Sequence, residues 1–232
     1  MKTRKSTYQA KIYKGDYFVI KGLKKFIEDQ LKQYVTEGVK VCDVGCGEQP
    51  WKNFIESLGA EYIGIDLQQN SQNTVHVLAD ICHIALPDES FDIVLCTEVL
   101  EHIQDIKAAL KELARLTKAD GKMIITLPFF YPLHEEPYDY LRITPHQVLK
   151  LAEQLNLQVK ELSTSGNELE AIATIWDNLW NRSLLNKPNL FKKILAVFLR
   201  VILNLPILCS SYIFQKYFPK KSYLNTLFVL YR

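Results

Sequence analysis

The sequence predicts an α/β fold: a seven-stranded, mostly parallel sheet with helices on both faces and a helical insert before the last strand. Three observations predict it. Short apolar runs alternate with amphipathic stretches of helical period, the pattern of strands joined by crossover helices. Several of those runs end in glycine or an acid, where an open parallel sheet holds its ligands. With 48% hydrophobic and 23% charged side chains over 232 residues, the chain can bury the core such a sheet needs. The same composition excludes wholesale disorder, a collagen-like repeat and a disulfide-stapled miniprotein. The length suits one large domain with an elaboration.

Residues 1–37 read as a basic segment followed by a helix, because Phe18, Ile20, Leu23, Phe26, Ile27 and Leu31 recur with helical period over 17–36, ahead of Gly38. The core, 38–165, opens with a strand over 39–44 that runs straight into Gly45-Cys46-Gly47. A helix over about 50–58 follows, with Trp51, Phe54, Ile55 and Leu58 on one face. Strands over 62–65 and 75–79 end at Asp66 and Asp80, and a fourth covers 91–96. A helix over 104–117 spaces Ile106, Leu110, Leu113 and Leu116 for burial. Asp120-Gly121 reads as the turn into a fifth strand, 122–127, closed by Pro128. Thr144 before Pro145, with Gln147 placed for a capping box, opens a helix to about 155, and 158–163 is the sixth strand. Residues 166–222 form an apolar, basic, mostly helical insert, and 223–232 supply the final strand.

The net charge of +2 conceals an asymmetry: residues 1–25 carry +7, 26–177 carry −14, and 178–232 carry +9 without a single acid. An acidic body between two basic ends points to an anionic surface as a partner. The five cysteines, 42, 46, 82, 96 and 209, form no CxxC pair. They fit reduced, buried thiols in a cytoplasmic protein better than a disulfide framework or a zinc site, so no metal is expected. No apolar signal core follows the basic N-terminus.

The chemistry gathers at the strand ends. Gly45 and Gly47 let the backbone approach a ligand and expose amides at a helix start. Asp66 lies 21 residues beyond Gly45, the spacing at which a carboxylate accepts ribose hydroxyls, and Asp80 is a third acid, with Asp43, on the same edge. A dinucleotide site wants a third glycine, whereas Glu48-Gln49-Pro50 stand here. An acid repels a diphosphate but suits a sulfonium cation, so a cationic nucleoside without phosphates is the better match.

Val41-Cys42-Asp43-Val44-Gly45-Cys46-Gly47 resembles the first motif of the class I S-adenosylmethionine-dependent methyltransferases, a Rossmann-like family. Glu61-Tyr62-Ile63-Gly64-Ile65-Asp66 resembles their second strand, Ala79-Asp80-Ile81 the adenine segment, residues 86–103 the fourth-strand signature, and 113–122 the run into strand five. The resemblance covers about 38–165 and the final strand, and implies S-adenosylmethionine as cofactor. It places Asp43, Gly45 and Gly47 at the methionine part, Asp66 at the ribose, Asp80 and Ile81 at the adenine, and Thr97 and Glu98 beside the sulfonium, with Cys46 and Leu67 also among the cofactor-binding residues. One departure is Gln49, where many members carry a further glycine. For Glu98 and His102 the competing role is an N-cap with a helix-face pair.

Residues 129–144 are the natural acceptor side, with one His, three acids, three Tyr and an Arg in a proline-stiffened loop. His134 is the first candidate for a general base, since its ordinary pKa lies near neutrality, with Glu135, Tyr138 and Asp139 in reserve. The His134-Glu-Glu-Pro-Tyr-Asp-Tyr140 run resembles a loop of bacterial methyltransferases associated with surface-polysaccharide synthesis.

Residues 194–214 are 21 in number with one charge, long enough to span a bilayer. Arg200, Asn204 and Pro206 interrupt that run, and the chain must return for its last strand, so a single crossing is disfavoured. The insert is then either a lid over the acceptor or an element lying on an anionic membrane through 187–221, using Lys187, Lys192, Lys193, Lys216, Lys220 and Lys221 with Trp176, Trp180, Tyr212 and Tyr217 at headgroup depth. Nucleic acid is disfavoured, because the basic ends bring apolar runs rather than a polar, aromatic-lined groove. The expected protein is a methyltransferase acting on a hydroxyl of a small-molecule or lipid-linked acceptor, with a sugar among the candidates. It is cytoplasmic or peripheral on the inner membrane face. The alternative is a methyltransferase-fold adaptor without catalysis at a membrane surface.

Overall fold

The computed structural model describes residues 8, 10–14, 16–184, 190–214, 217 and 222–232, leaving aside the side chains of 179–184 and 214. The elements run α1 (Tyr17–Tyr34), β1 (Lys40–Val44), α2 (Lys52–Ser57), β2 (Glu61–Asp66), β3 (Val77–Leu78), β4 (Phe91–Thr97), a 3-10 turn (Leu100–His102), α3 (Ile106–Leu116), β5 (Thr117–Pro128), α4 (Pro145–Gln154), β6 (Gln158–Ser165), α5 (Glu168–Leu184), α6 (Leu190–Phe214) and β7 (Asn225–Tyr231). They build a seven-stranded sheet in the order β3-β2-β1-β4-β5-β7-β6. Five strands pair in parallel, whereas β7 slots antiparallel between β5 and β6.

Strand side chains alternate between faces, and the core divides accordingly. Val41, Ile93, Leu95, Ile124, Leu227 and Val229 pack with Leu23, Ile27 and Leu31 of α1 and Ile55 of α2. Their neighbours Cys42, Val94, Cys96, Met123, Ile125, Phe228 and Leu230 pack on the other face with Leu110 and Leu113 of α3 and Val148 and Leu151 of α4. The sheet is buried on both sides, which is why its central strands read as continuous apolar runs. The order reverses between β1 and β4, and an open sheet of this kind leaves a crevice at that point beyond the carboxyl ends.

Three sequence readings shift. Asp120 and Gly121 lie within β5 rather than in a turn before it: Phe91 pairs with Thr117 but Ile93 with Lys122, so the extra residues are absorbed as a bulge. The third strand contracts to Val77–Leu78. The helix expected from 104 starts at Ile106, capped by Asp105, whose side chain accepts from the Ala108 amide at 3.0 Å. The cap therefore belongs to Asp105, not to Glu98. Thr144 caps α4 as expected, accepting from the Gln147 amide at 3.3 Å.

The insert forms two helices, α5 and α6, that pack on each other, and α5 also packs on α1. Arg200, Asn204 and Ser211 of α6 face inward. Asn204 is fully buried and donates to Asp177 Oδ2 of α5 at 3.3 Å and to the Ile12 carbonyl at 3.0 Å. Arg200, also buried, lies 3.7 Å from Asp177 and donates to the Tyr13 carbonyl at 3.4 Å. The outward face is apolar: Leu190, Phe191, Ile194, Phe198, Ile202 and Ile213 are all more than half exposed. Lys187, Lys216, Lys220 and Lys221, like the Trp180 side chain, lie outside the described residues.

Candidate active site

A cavity of about 780 Å³ opens over the carboxyl ends of β1, β2 and β4, in the size range of a site for a small molecule together with a cofactor. Its walls include Asp43, Gly45, Cys46, Gly47, Asp66, Leu67, Asp80, Ile81, Thr97 and Glu98, so the sequence-predicted cofactor set comes together in one place. His134, Glu135 and Tyr138 line the same cavity.

The loop after β1 is fixed by its own backbone. Gly45 (φ +75°) and Gly47 (φ +48°) occupy the left-handed region. The Gly45 and Cys46 amides donate to the Ile65 carbonyl at 2.8 and 3.0 Å, and the Gly47 amide donates to Asp66 Oδ2 at 2.8 Å. Gln49, in place of a further glycine, also adopts a positive φ of 53°. Its side chain donates to the Thr74 carbonyl at 2.8 Å and accepts from the Thr74 hydroxyl at 2.9 Å. Glu48 accepts from the Ser71 amide at 3.1 Å. The departure from the family pattern thus ties the glycine loop to the segment between β2 and β3.

The donor set fits a cationic nucleoside cofactor. Asp43 is fully buried beside the glycine loop and accepts from the Tyr62 hydroxyl at 2.8 Å; burial pushes its carboxyl up to about 7, against that hydrogen bond. Asp66 Oδ1 accepts from the Gln68 amide at 3.2 Å, and Asp80 Oδ1 from the Cys82 amide at 2.8 Å. Leu67, 66% exposed, and the buried Ile81 offer apolar surface to a base. A Cβ placed on Gly47 would meet nothing within 4 Å, so that side of the loop is open.

A pH dependence follows. A cation beside Asp43 favours its ionised form, so binding is strongest above the carboxyl's pKa of about 7 and weakens as pH falls below it. The affinity for S-adenosylmethionine should drop by about tenfold between pH 7.5 and 6. Calorimetry in two buffers should show proton release on binding near pH 6, and Asp43→Asn should bind more weakly with a flat profile. A pH-independent wild-type affinity would contradict this.

At the acceptor end, the segment between β5 and α4 folds onto the 3-10 turn after β4. The Tyr140 and Leu141 amides donate to the Glu101 carbonyl at 2.8 and 3.2 Å. Asp139 does not line the cavity; its side chain is buried, paired with Arg142 through Nη2 at 2.8 Å, and accepts from the His134 amide at 3.0 Å. Burial would raise its carboxyl, but the guanidinium and the His134 amide override that and hold it down to about 2. A carboxylate so held is a poor base, so Asp139 is a positioning residue that lies 3.1 Å from His134 Nδ1. Sequence reasoning missed Glu101, which is fully buried between His102 and His134. It also missed Tyr8, whose hydroxyl donates to Thr97 at 3.2 Å and whose ring packs on Trp51 at 4.7 Å. A carboxylate within an apolar run was the available signal for Glu101; for Tyr8 there was none, since its contact partner is 89 residues away.

Residues 42–125 match the family described as "Methyltransferase domain". A ubiquinone biosynthesis O-methyltransferase from Bradyrhizobium diazoefficiens is 35% identical over 100 residues, 38% of this chain and 40% of that one. Its counterpart from Neisseria meningitidis serogroup A is 30% identical over 121 residues, 46% and 49% of the two chains. The chain thus spans less than half the length of these curated relatives. Among solved structures, an S-adenosylmethionine-dependent methyltransferase from Aquifex aeolicus superposes with a TM-score of 0.50 at 20% identity, covering 62% of this chain and 86% of that one. The [4+2]-cyclase SpnF gives 0.59 at 15%, covering 89% and 80%. A putative sarcosine dimethylglycine methyltransferase from Galdieria sulphuraria gives 0.59 at 13%, covering 91% and 86%. Likeness at these identities speaks to fold alone. Taken with the glycine loop and the acids at three strand ends, residues 42–125 are similar to the methyltransferase domain family, on a Rossmann-like sheet whose cradle fits S-adenosylmethionine as cofactor.

Proposed function

We propose that the protein transfers a methyl group from S-adenosylmethionine to a hydroxyl of a lipid-linked acceptor at an anionic membrane surface. The observation that carries the reaction is one cavity with a cofactor cradle at one end and a His/Glu cluster, able to take a hydroxyl proton, at the other. When bound, S-adenosylmethionine supplies a methyl carbon already activated by its sulfonium. The chain's residues then have to align the acceptor, exclude water and remove a proton. His134 is the base candidate, and Glu135 and Tyr138 line the acceptor side with it. Two of the relatives above are named O-methyltransferases, which supports a hydroxyl as acceptor.

The membrane part rests on the inverted pattern of α6. A soluble surface helix turns its apolar stripe inward; α6 buries Arg200 and Asn204 and exposes phenylalanine, leucine and isoleucine. By length and composition it could cross a membrane, but both neighbouring strands belong to one sheet, so a helix lying in the interface fits better. Lys192 and Lys193 lie at its start, and Trp176 and Tyr212 are exposed alongside. Tyr131, which lines the cavity, shares an apolar cluster with Ile207 and Leu208 of α6 and connects the acceptor end to that helix.

Calorimetric titration with S-adenosylmethionine, followed by transfer of labelled methyl to lipid extracts, tests the reaction. Absence of cofactor binding would return the protein to the adaptor reading. For the surface, salt-sensitive binding to phosphatidylglycerol vesicles is expected, and replacing exposed Phe191, Phe198 and Ile202 together by serine should weaken it by at least about tenfold. Equal binding by the variant, or none by the wild type, would remove the membrane part.

A further inference from the structure

Glu101, His102 and His134 form a group that the cofactor site does not use. One ligand atom from each, a carboxylate oxygen and two imidazole nitrogens, lies within 4.8 Å of the others. Glu101 Oε1 is 3.7 Å from His102 Nε2 and 3.6 Å from His134 Nε2, beyond hydrogen-bond distance. The Glu101 side chain is completely buried, and neither of its oxygens accepts a hydrogen bond. A buried carboxylate in that condition is costly unless a positive partner faces it.

The outer nitrogens of both rings face acceptors, and both inner nitrogens lie beside Glu101 Oε1. His102 Nδ1 is 2.7 Å from the Tyr138 carbonyl, which can only accept, so Nδ1 carries the proton and a neutral ring leaves Nε2 bare. His134 Nδ1 lies 3.1 Å from Asp139 Oδ2 and 3.3 Å from the Pro132 carbonyl, again two acceptors. This is the outer arrangement that metal-binding imidazoles keep, with Nδ1–H held by a carbonyl or carboxylate. Atoms bound about 2.1 Å from a tetrahedral ion stand about 3.4 Å apart, so the two Glu–His spacings already match, and the remaining spacing, within 4.8 Å, closes by rotation of the rings.

We propose that Glu101, His102 and His134 bind one divalent transition-metal ion at the acceptor end of the cavity. Two imidazoles with one carboxylate favour zinc, cobalt, iron or manganese over the all-oxygen sites of magnesium and calcium. The inference rests on the methyl-transfer reading only for its purpose. There, an ion held by His134 replaces that ring's role as base: its charge favours loss of the acceptor hydroxyl's proton, and Glu135, which lines the cavity 3.8 Å from His102, receives it. The bond formed is O–CH₃, the bond broken is S–CH₃ with its electron pair left on sulfur, and no oxidation state changes.

Tag-free full-length protein, stripped with a chelator, is titrated with Zn²⁺ and Co²⁺ by calorimetry. One equivalent should bind, Co²⁺ should develop the visible absorption of a nitrogen-ligated site, and Glu101→Gln and His102→Ala should each weaken binding by at least about tenfold. His146→Ala, an exposed histidine on α4, should leave it unchanged. Thermal unfolding and S-adenosylmethionine titration of every variant establish that the fold and the cofactor end survive. Wild-type affinity no tighter than that of the folded Glu101→Gln and His102→Ala proteins would overturn the proposal while leaving the methyl-transfer reading intact. Metal binding without any S-adenosylmethionine binding would overturn that reading and leave the metal site standing.

Discussion

His134→Ala should lower turnover on a hydroxyl acceptor by about 10²- to 10⁴-fold, the usual contribution of a positioned group that manages a proton. The dissociation constant of S-adenosylmethionine should stay within a few-fold. The reason is geometric. The ring is fixed by Asp139 at 3.1 Å, flanked edge-on by His102 and Tyr131 at 4.9 and 5.3 Å, and aims Nε2 at Glu101. It lies on the segment after β5, whereas the cofactor set lies on the ends of β1, β2, β3 and β4. Removing the imidazole deletes a lone pair at the acceptor end whether it meets a proton or an ion, and leaves the cradle untouched. Single-turnover measurements should show the loss in the chemical step. Unchanged turnover on the true acceptor would remove His134 from the mechanism, and an equal loss of cofactor affinity would mean that the two ends of the cavity are not separable.

Gly45→Ala should be the most damaging small change in the cofactor loop. Alanine at φ +75° costs about 1–2 kcal/mol in backbone strain. The added Cβ would also stand 2.3 Å from Val99 Cγ2 and 2.9 Å from Val99 Cγ1, an overlap that must be relieved by movement at about 1–3 kcal/mol. Val99 leads into the turn that carries Glu101 and His102, so the displacement reaches both ends of the cavity. A lowered melting temperature is expected, with S-adenosylmethionine affinity down at least about tenfold. Adding Val99→Ala should recover the steric part but not the strain. A Gly45→Ala protein as stable as the wild type would show that the loop relaxes freely.

Much of the fold was legible because its signals are local. A strand buried on both faces is a short apolar run, and the acid or glycine that ends it marks the ligand edge, so Asp43, Gly45, Asp66 and Asp80 could be placed on one edge before any coordinates. The bulge at Asp120 and Gly121 was not legible, since the dipeptide is a turn signal by itself and only pairing with β4 absorbs it into a strand. The acceptor end was half legible. Its loop announced itself by composition, but which carboxylate meets the two histidines depends on Arg142 claiming Asp139 and on the 3-10 turn burying Glu101 between them. Neither follows from spacing. In α6, Arg200 and Asn204 were visible as interruptions of an apolar run, yet their direction was set by Asp177 and by carbonyls 187 and 192 residues away.

The pairing between the glycine loop and Asp66 has a consequence for recognition speed and cost. Each carboxylate oxygen already accepts one backbone amide, from Gly47 or from Gln68, and each keeps a lone-pair direction in hand. The side chain is therefore a frozen receptor: its rotamer was chosen when the domain folded. A diol arriving there need not wait for a conformational search, and the ordering entropy of about 0.5–1.5 kcal/mol that a loose side chain would lose on capture was given up beforehand.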